Sequence, residues 1–169
     1  MEYKVIKSNR KTMTLSINDN LEVVVKAPIY VSNSSIDDFV KRNASWINNA
    51  IVNKKKQLEK FDLSDWEIDA LVEKAKTIIP SRVEYYSNIM GIKPTGLKIT
   101  KAKKRFGSCN GKNSLCFSCY LMLYPNEAVD YVVVHELAHI KHHNHGREFY
   151  SLISKYLPDY KDREKLLKA

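Results

Sequence analysis

Apolar and polar residues alternate near the start of the chain, where Met13, Leu15 and Ile17 are separated by single polar residues. The polar run Asn18-Asp19-Asn20 follows, and another apolar stretch comes next. A period of two that is interrupted by turn-forming residues is typical of two antiparallel strands joined by a short loop. We therefore predict a β-hairpin here, within an N-terminal β region over residues 1–30.

Helical spacing replaces this alternation in the next segment. It follows Ser34 and Ser35, which can cap a helix, and it ends near Lys54-Lys55-Lys56. Because the intervals between apolar residues are four and seven, the pattern predicts one long amphipathic helix, and we interpret the lysine run as a solvated face. The apolar positions are Ile36, Val40, Ile47, Ile51 and Leu58.

A second helical pattern runs over residues 68–90 and stops before Gly91. Pro80 lies inside it, and a proline removes one backbone hydrogen bond and clashes with the preceding turn. We therefore predict a long helix with a kink or break at Pro80. Trp46 and Trp66 fall within the two helical patterns, so we expect both side chains to be packing residues.

The period returns to two from Leu97. Leu97 and Ile99 begin a strand, and Asn110-Gly111 is a strong signal for the turn of a hairpin. Beyond that turn, apolar residues alternate at Leu115, Phe117, Cys119 and Leu121. We therefore predict a second β-hairpin whose return strand covers residues 115–121, and this strand is our candidate for pairing with an extended substrate.

The segment over residues 127–141 is apolar nearly all the way round a helix. Such a helix is buried on every side, so we expect it to be central and to end at Asn144 and Gly146. A further helical stripe covers residues 149–157, and a short charged helix completes the chain. The predicted fold class is therefore α+β, with an N-terminal β-hairpin region, two long helices, a second β-hairpin, and the central helix followed by C-terminal helices.

All five histidines of the chain fall between residues 135 and 145. His135 and His139 are four residues apart on the predicted central helix, so both rings stand on one face, about 6 Å apart at Cβ, and can bind one metal ion. Glu136 lies on the adjoining edge, where its carboxylate can hold a water molecule without replacing it. This His-Glu-x-x-His arrangement indicates a Zn²⁺-dependent hydrolase with Glu136 as the general base.

A catalytic zinc site needs a third protein ligand and leaves the fourth position to water. His142 points along the same helix face as the first two histidines, and His143 is expected to be solvated at the helix end. His145 follows Asn144, which tolerates left-handed backbone geometry, so the chain can turn and bring the ring back to the metal. We favour His145 as the third ligand, with Glu148 from the next helix as the alternative.

Two further segments, together with the histidine motif, resemble the YgjP-like metallopeptidases, relatives of the SprT-like and WSS-like group. Residues 105–109, Arg-Phe-Gly-Ser-Cys, are similar to the Arg-Trp-Gly-Ser-Cys strand ahead of the zinc helix in that family, with Phe106 in place of tryptophan. Phe149-Tyr150 stands where the family usually has Phe-Trp, and Ser118-Cys119-Tyr120 where it often has Asn-Trp-Arg. The resemblance is specific over residues 105–150 and implies a zincin-like metallopeptidase fold.

The length and composition fit one domain of ordinary globular type. The chain has 169 residues, of which 44% are hydrophobic and 28% charged, and its three cysteines are too few and too clustered to form a disulfide framework. We expect a single YgjP-like domain over residues 1–169, with the zinc-site core at residues 97–157. The N-terminus lacks a secretory signal and no apolar run suits a membrane span, so we expect a cytoplasmic protein without membrane contact.

The charge balance leaves the substrate class open. Lysine plus arginine number 28 and aspartate plus glutamate 19, which gives a net charge of +9. A basic strand over residues 98–105 leads toward the histidines and would attract polyanions. Our main hypothesis is a zinc metallopeptidase that acts on peptides or proteins. The alternatives are a metal-dependent hydrolase of nucleotides or phosphoesters, and a SprT-like protease that acts when bound to DNA.

The cysteines are weaker candidates for chemistry. Cys116 and Cys119 have the spacing of a zinc knuckle, but no second pair exists, and positions three apart on a strand face opposite ways. We therefore expect both to be buried as small apolar side chains. Cys109 could act as a nucleophile only with a histidine as its base, and the histidines have a better use as metal ligands.

Overall fold

The N-terminal residues form a small mixed sheet in the computed structural model, which describes residues 1–168. Its strands are β1 (Lys4–Ser8), β2 (Thr14–Ile17) and β3 (Val23–Pro28), in the order β1-β3-β2. β2 and β3 are antiparallel, and the Asn18 side-chain oxygen accepts hydrogen bonds from the amides of Asn20 and Glu22 in the turn between them. The predicted hairpin is confirmed. β1 pairs with β3 in parallel, which the local pattern does not indicate.

The long helix predicted after β3 is two helices, α1 (Asn33–Arg42) and α2 (Ala44–Lys60). Asn43 separates them with φ −103° and ψ 14°, outside the helical region. Its side-chain amide donates to the carbonyl oxygen of Phe39, which satisfies a group left over at the end of α1. The N-cap is Ser32 rather than Ser34 or Ser35, because Ser32 keeps the extended backbone that a cap requires.

The core beside this sheet combines alternate residues of β3 with one face of each helix. These buried residues are Val23, Val25, Ala27, Ile36, Val40 and Ile47. They belong to a first compact unit, Met1–Asp62, and a second compact unit begins at Leu63. The expectation of a single domain over residues 1–169 stays a prediction.

The second unit opens with α3 (Asp65–Met90), which Ser64 and Glu67 begin as a capping box. Of the predicted kink or break at Pro80, the break is absent, because the helix runs through the proline without interruption. Burial explains this, because Ile79 and Val83 are both buried and hold the helix against its neighbours before and after Pro80.

Neither tryptophan packs as predicted. Trp46 on α2 is 48% exposed and Trp66 on α3 is 74% exposed. Each lies in the first turn of its helix, where no residue three or four positions earlier belongs to the same helix. Helical spacing therefore could not decide which side of the turn faces the protein.

The second sheet contains β4 (Gly96–Thr100), β5 (Gly107–Cys109) and β6 (Ser114–Ser118), in the order β4-β6-β5. The hairpin turn at Asn110 is confirmed, but it joins β5 to β6, whereas β4 pairs with β6 in parallel. The return strand ends at Ser118, and a 3₁₀ helix covers Cys119–Leu123, so the predicted extension of the strand to residue 121 is wrong. Ser118 causes this change of direction, because its hydroxyl accepts from the Tyr120 amide.

Three helices complete the chain: α4 (Asn126–Lys141), α5 (Arg147–Tyr156) and α6 (Tyr160–Leu166). α4 is buried along most of its length and packs against α3, α5, α6 and β5. Its buried Asp130 receives two hydrogen bonds from Arg82 of α3 and lies 3.5 Å from Arg163 of α6. The fold is therefore α+β with a central helix, as predicted. Among the helices of residues 1–168, none has the length and apolar character needed to span a bilayer.

Candidate metal centre

Three histidines converge at the C-terminal end of α4. His135 and His139 lie one turn apart on the helix, and His145 comes from the segment between α4 and α5. One ring nitrogen of each lies within 4.8 Å of the others, and the Nε2 atoms of His135 and His145 are 3.2 Å apart. Two nitrogens bound tetrahedrally at 2.0–2.1 Å from a zinc ion would be separated by about 3.3 Å. The three rings therefore fit a metal ion.

The end of α4 explains how His145 reaches the other two rings. The helix ends at Lys141, the last residue of the predicted helical segment and ahead of the stop signals Asn144 and Gly146, because His142 adopts an extended backbone with φ −131° and ψ 100°. The Gly146 amide then donates to the Asn144 carbonyl, which closes a tight turn before α5. The predicted turn exists, but it begins at His142 rather than at Asn144.

The ring of His139 is oriented by the chain that follows it. Its Nδ1 lies 3.2 Å from the carbonyl oxygen of His142. Because that oxygen can only accept, the contact favours a proton on Nδ1 and leaves the Nε2 lone pair for a metal ion. The Nδ1 atom of His135 is buried and has no hydrogen-bond partner in the described part of the chain, so polar interactions of that ring occur at Nε2.

The other residues considered as the third ligand lie outside the histidine triad. The Nδ1 atom of His142 is 3.7 Å from a carboxylate oxygen of Glu148, whose side chain is largely exposed. His143 is exposed and lines the same cleft as the triad. Sequence reasoning therefore identified the three residues that converge, although the ligand assignment itself stays a prediction.

Burial favours the neutral form of two of the three converging histidines. It lowers the pKa of His135 to about 4, with the neighbouring His139 and His145 adding to the effect. Burial also lowers the pKa of His139. Neutral imidazoles are the form that binds a divalent cation, so the site suits a metal at neutral pH.

Phe149 contacts all three histidine rings. Its ring centroid lies 4.9 Å from that of His135, 4.6 Å from that of His139 and 4.8 Å from that of His145. The sequence showed Phe149 as one apolar position of a helix and as half of the Phe149-Tyr150 pair, but neither observation places it under the site. Because Phe149 is fully buried, it gives the three rings a fixed support.

Glu136 faces the same cleft from the adjoining side of α4. Its side chain is only 6% exposed, and this burial raises the pKa of its carboxyl to about 7. A Cβ atom built on Gly107 of β5 would lie 2.7 Å from both Cγ and Oε1 of Glu136. The strand therefore passes directly over the carboxylate, and only a residue without a side chain fits there. The shared cleft has a volume of about 310 Å³, and Ser108 and Cys109 also line it.

Comparison with known proteins decides the family. The sequence profile of a family described as "YgjP-like, metallopeptidase domain" matches residues 50–169. The chain belongs to the YgjP-like metallopeptidase family. The metallopeptidase zymogen of Pyrococcus abyssi abylysin is similar at 21% identity with a TM-score of 0.48, and the match covers 52% of this chain and 90% of that one. Among curated proteins, none matches.

A YgjP-like metallopeptidase needs a resident divalent metal, and the triad is where this chain could hold it.

Of the cysteines, Cys119 is fully buried as predicted, and Cys116 is half-buried on β6 near the Thr100 hydroxyl. The described residues show no metal-binding group that includes a cysteine. The knuckle spacing of Cys116 and Cys119 therefore carries no site.

The prediction that the strand at residues 115–121 pairs with an extended substrate is wrong, because this strand is not at an edge of its sheet. β6 is central, with β4 on one side and β5 on the other, so its backbone groups are already used. β5 is an edge strand and lines the metal cleft. Local alternation marked β6 correctly as a strand, but the order of strands depends on pairing between distant segments.

The buried carboxyl of Glu136 makes the stability of the metal-free protein depend on pH. The folded state holds a proton on this carboxyl up to a pKa of about 7, whereas the unfolded chain loses it near 4.5. The contribution of Glu136 to stability is therefore lost as the pH rises from 4.5 to 7. Glutamine does not titrate, so the free energy of unfolding of Glu136→Gln should rise relative to that of wild type across this window, by up to about 3 kcal/mol.

Urea unfolding in the presence of a chelator, at pH 4.5 and at pH 8, measures this difference. Wild type and the variant should approach each other at the acidic pH and separate at the basic pH. A difference in unfolding free energy that stays constant between the two pH values would contradict the assignment of a neutral buried carboxyl.

Proposed function

We propose that the protein is a zinc-dependent peptidase in which His135, His139 and His145 hold the metal and Glu136 is the general base. The observation that carries this proposal is the convergence of three histidine rings and one buried carboxyl in a single cleft. A bound zinc ion would act as a Lewis acid that polarises a carbonyl group and lowers the pKa of water. Three histidine ligands with one open position are typical of catalytic rather than structural zinc sites.

Glu136 has the position and the proton affinity for its proposed role. Its carboxylate accepts a proton from a water molecule in the cleft and delivers that proton to the leaving amine of the peptide. A pKa of about 7 is favourable for a group that must both take up and release a proton near neutral pH. The low exposure of Glu136 keeps bulk water from competing for the proton.

The free edge of β5 supports a peptide as the substrate. The Ser118 amide donates to the Phe106 carbonyl, and the Asn110 amide donates to the Ser114 carbonyl. Because bonded and non-bonded pairs alternate along antiparallel strands, the backbone groups of Gly107 and Cys109 are directed away from β6. An extended peptide can pair with these groups as an added strand beside the metal cleft.

Two of the five cations in the basic segment 98–105 are engaged within the protein and are less available to a phosphoester or DNA substrate. Lys101 is engaged by Asp69, with its ammonium 2.7 Å from a carboxylate oxygen. The ammonium of Lys103 lies over the ring of Tyr120 at 5.7 Å from the centroid. These two cations thus have partners within the protein, and the peptide remains the proposed substrate.

A substrate panel tests the proposal. The zinc-loaded protein is incubated separately with casein, with a mixture of synthetic peptides and with nucleoside triphosphates, with and without single-stranded DNA. We expect peptide bonds to be cut without DNA, and a chelator to stop the reaction. Release of diphosphate without peptide cleavage would replace the proposal with the nucleotide hydrolase, and cleavage only with DNA would replace it with the DNA-associated protease.

Gly107→Ala should lower peptide turnover by about 10–100-fold while leaving one zinc ion bound, because the new methyl group displaces the Glu136 carboxylate and misplacement near 1 Å is costly. Gly111→Ala is the matched control on the same hairpin, since a Cβ there meets no atom within 4 Å. Turnover and metal content are measured for both variants. Equal turnover in the two variants would show that Gly107 does not position Glu136.

A further inference from the structure

A second cleft, with a volume of about 380 Å³, lies next to the metal centre. Its walls come from the segment 105–107, from α4, and from α6 with the residues just after it. Gly107, His135 and Glu136 line both this cleft and the metal cleft. Because the two clefts share these lining residues, a peptide held at Glu136 would have a neighbouring side chain beside the second cleft.

The walls of this cleft are mainly apolar and are fixed by packing. They include Phe106, Tyr131, Val132 and Leu167, of which Tyr131 and Val132 are buried. The ring of Tyr131 packs edge-on against His135 at 5.6 Å, and the ring of Phe106 packs in the same way against Tyr124 at 4.9 Å. A concave apolar surface with a few polar groups at its border is typical of a small-ligand or side-chain pocket.

The charges at the border of the cleft include one cation, Arg105, that has no carboxylate partner among residues 1–168. The carboxylate of Glu164 lies 2.8 Å from the ammonium of Lys168, so these two charges balance each other. Arg105 is exposed and forms no ion pair with any residue between 1 and 168. A neutral side chain can enter without an electrostatic cost, whereas a lysine or arginine side chain would be repelled.

We propose that this cleft binds a large apolar side chain of the substrate, at the residue next to the bond that is cut, and disfavours basic side chains. The inference rests on the proposed peptidase function, because it makes the cleft the site of substrate selection. Phe106, Tyr131 and Leu167 limit the size of the side chain, and Arg105 provides the repulsion. Leu167 is not among the three proposed metal ligands, so changing it removes none of them.

Cleavage of a peptide library tests the selection. Peptides randomised on both sides of a central bond are incubated with the zinc-loaded protein, and the cut sites are read by mass spectrometry. We expect phenylalanine, tyrosine and leucine to exceed alanine about tenfold at one position beside the cut, with lysine and arginine depleted there. Leu167→Trp should shift the preference at that position toward small residues, and Leu167→Ala should weaken the preference. The surface control Lys165→Trp should leave it unchanged.

A binding measurement separates this inference from the proposed function. N-acetylphenylalanine amide and N-acetylarginine amide are titrated into the zinc-loaded protein, and the backbone amide signals are followed by NMR. The phenylalanine amide should shift signals of residues 105–107 and 164–168, and the arginine amide should not. If no peptide is cut, the proposed function fails, and the titration alone shows whether the cleft binds an apolar side chain. Absence of these shifts, or a cut-site preference unaltered by both Leu167 variants, overturns the inference.

Discussion

Glu136→Gln is expected to leave the zinc content at one ion per chain and to lower peptide turnover by about 10²–10⁴-fold, the range for loss of a general base. Glutamine keeps the size and most contacts of the side chain beside Gly107, but its amide cannot accept and return a proton at neutral pH. The three histidines are unchanged, so metal binding should persist. Metal analysis of the purified variant and its kcat on a cleaved peptide measure the two effects.

Glu127→Gln is the matched control for that experiment. It lies on the same helix, in the exposed first turn of α4, and it should keep both metal and turnover. Stoichiometric zinc together with wild-type turnover in Glu136→Gln would refute the role of Glu136. Loss of zinc in that variant would instead place its carboxylate among the metal ligands.

His145→Ala is expected to weaken zinc binding by more than about 100-fold, a larger loss than is typical when a residue that only supports a ligand is changed. The reason is that His135 and His139 come from one helix and would approach a metal ion from one side. The ring of His145 approaches from the turn after α4, with its Nε2 atom 3.2 Å from that of His135. Competition with a zinc-sensitive dye measures the affinity.

His142→Ala and His143→Ala are the controls, and each should change zinc affinity only slightly. The contact that orients His139 uses the backbone carbonyl of His142, which alanine retains. The side chain of His142 instead lies near Glu148. If His142→Ala lost the metal while His145→Ala retained it, the proposed ligand set would be wrong.

The pairing of His135 with His139 could be predicted because it is local. Residues four apart on a helix share a face whatever surrounds the helix. The apolar residues around the motif predicted a buried helix, and α4 is buried along most of its length. For His145, the residues near Asn144 indicated a turn but not where it starts, because the end of a helix depends on which backbone groups find partners nearby.

The order of strands could not be predicted in the same way. The alternation in residues 97–121 marked strand segments and the turn at Asn110, and it suggested that they formed one simple hairpin. The short β5 has no visible period, and the parallel pairing of β4 with β6 joins segments through a long connection. That arrangement moved the accessible edge from β6 to β5 and with it the surface available to a substrate.

Two contacts at the site have no local signal at all. Phe149 touches the three histidine rings because α5 packs against α4, and Gly107 leaves space for Glu136 because β5 crosses α4. Each residue is distant in sequence from the group it contacts or lies on another element. A periodic pattern shows only that such a residue is apolar or small.

Local sequence was enough to predict a buried helix with His135 and His139 on one face and Glu136 on the adjoining edge, because residues four apart on a helix share a face. It also marked His145 as able to return to them. The distance from His145 to the other two rings, the accessible strand edge and the support beneath the rings could be seen only once the chain was folded. These features depend on packing between segments far apart in the chain, where many pairings share the same local pattern and only the complete core selects one.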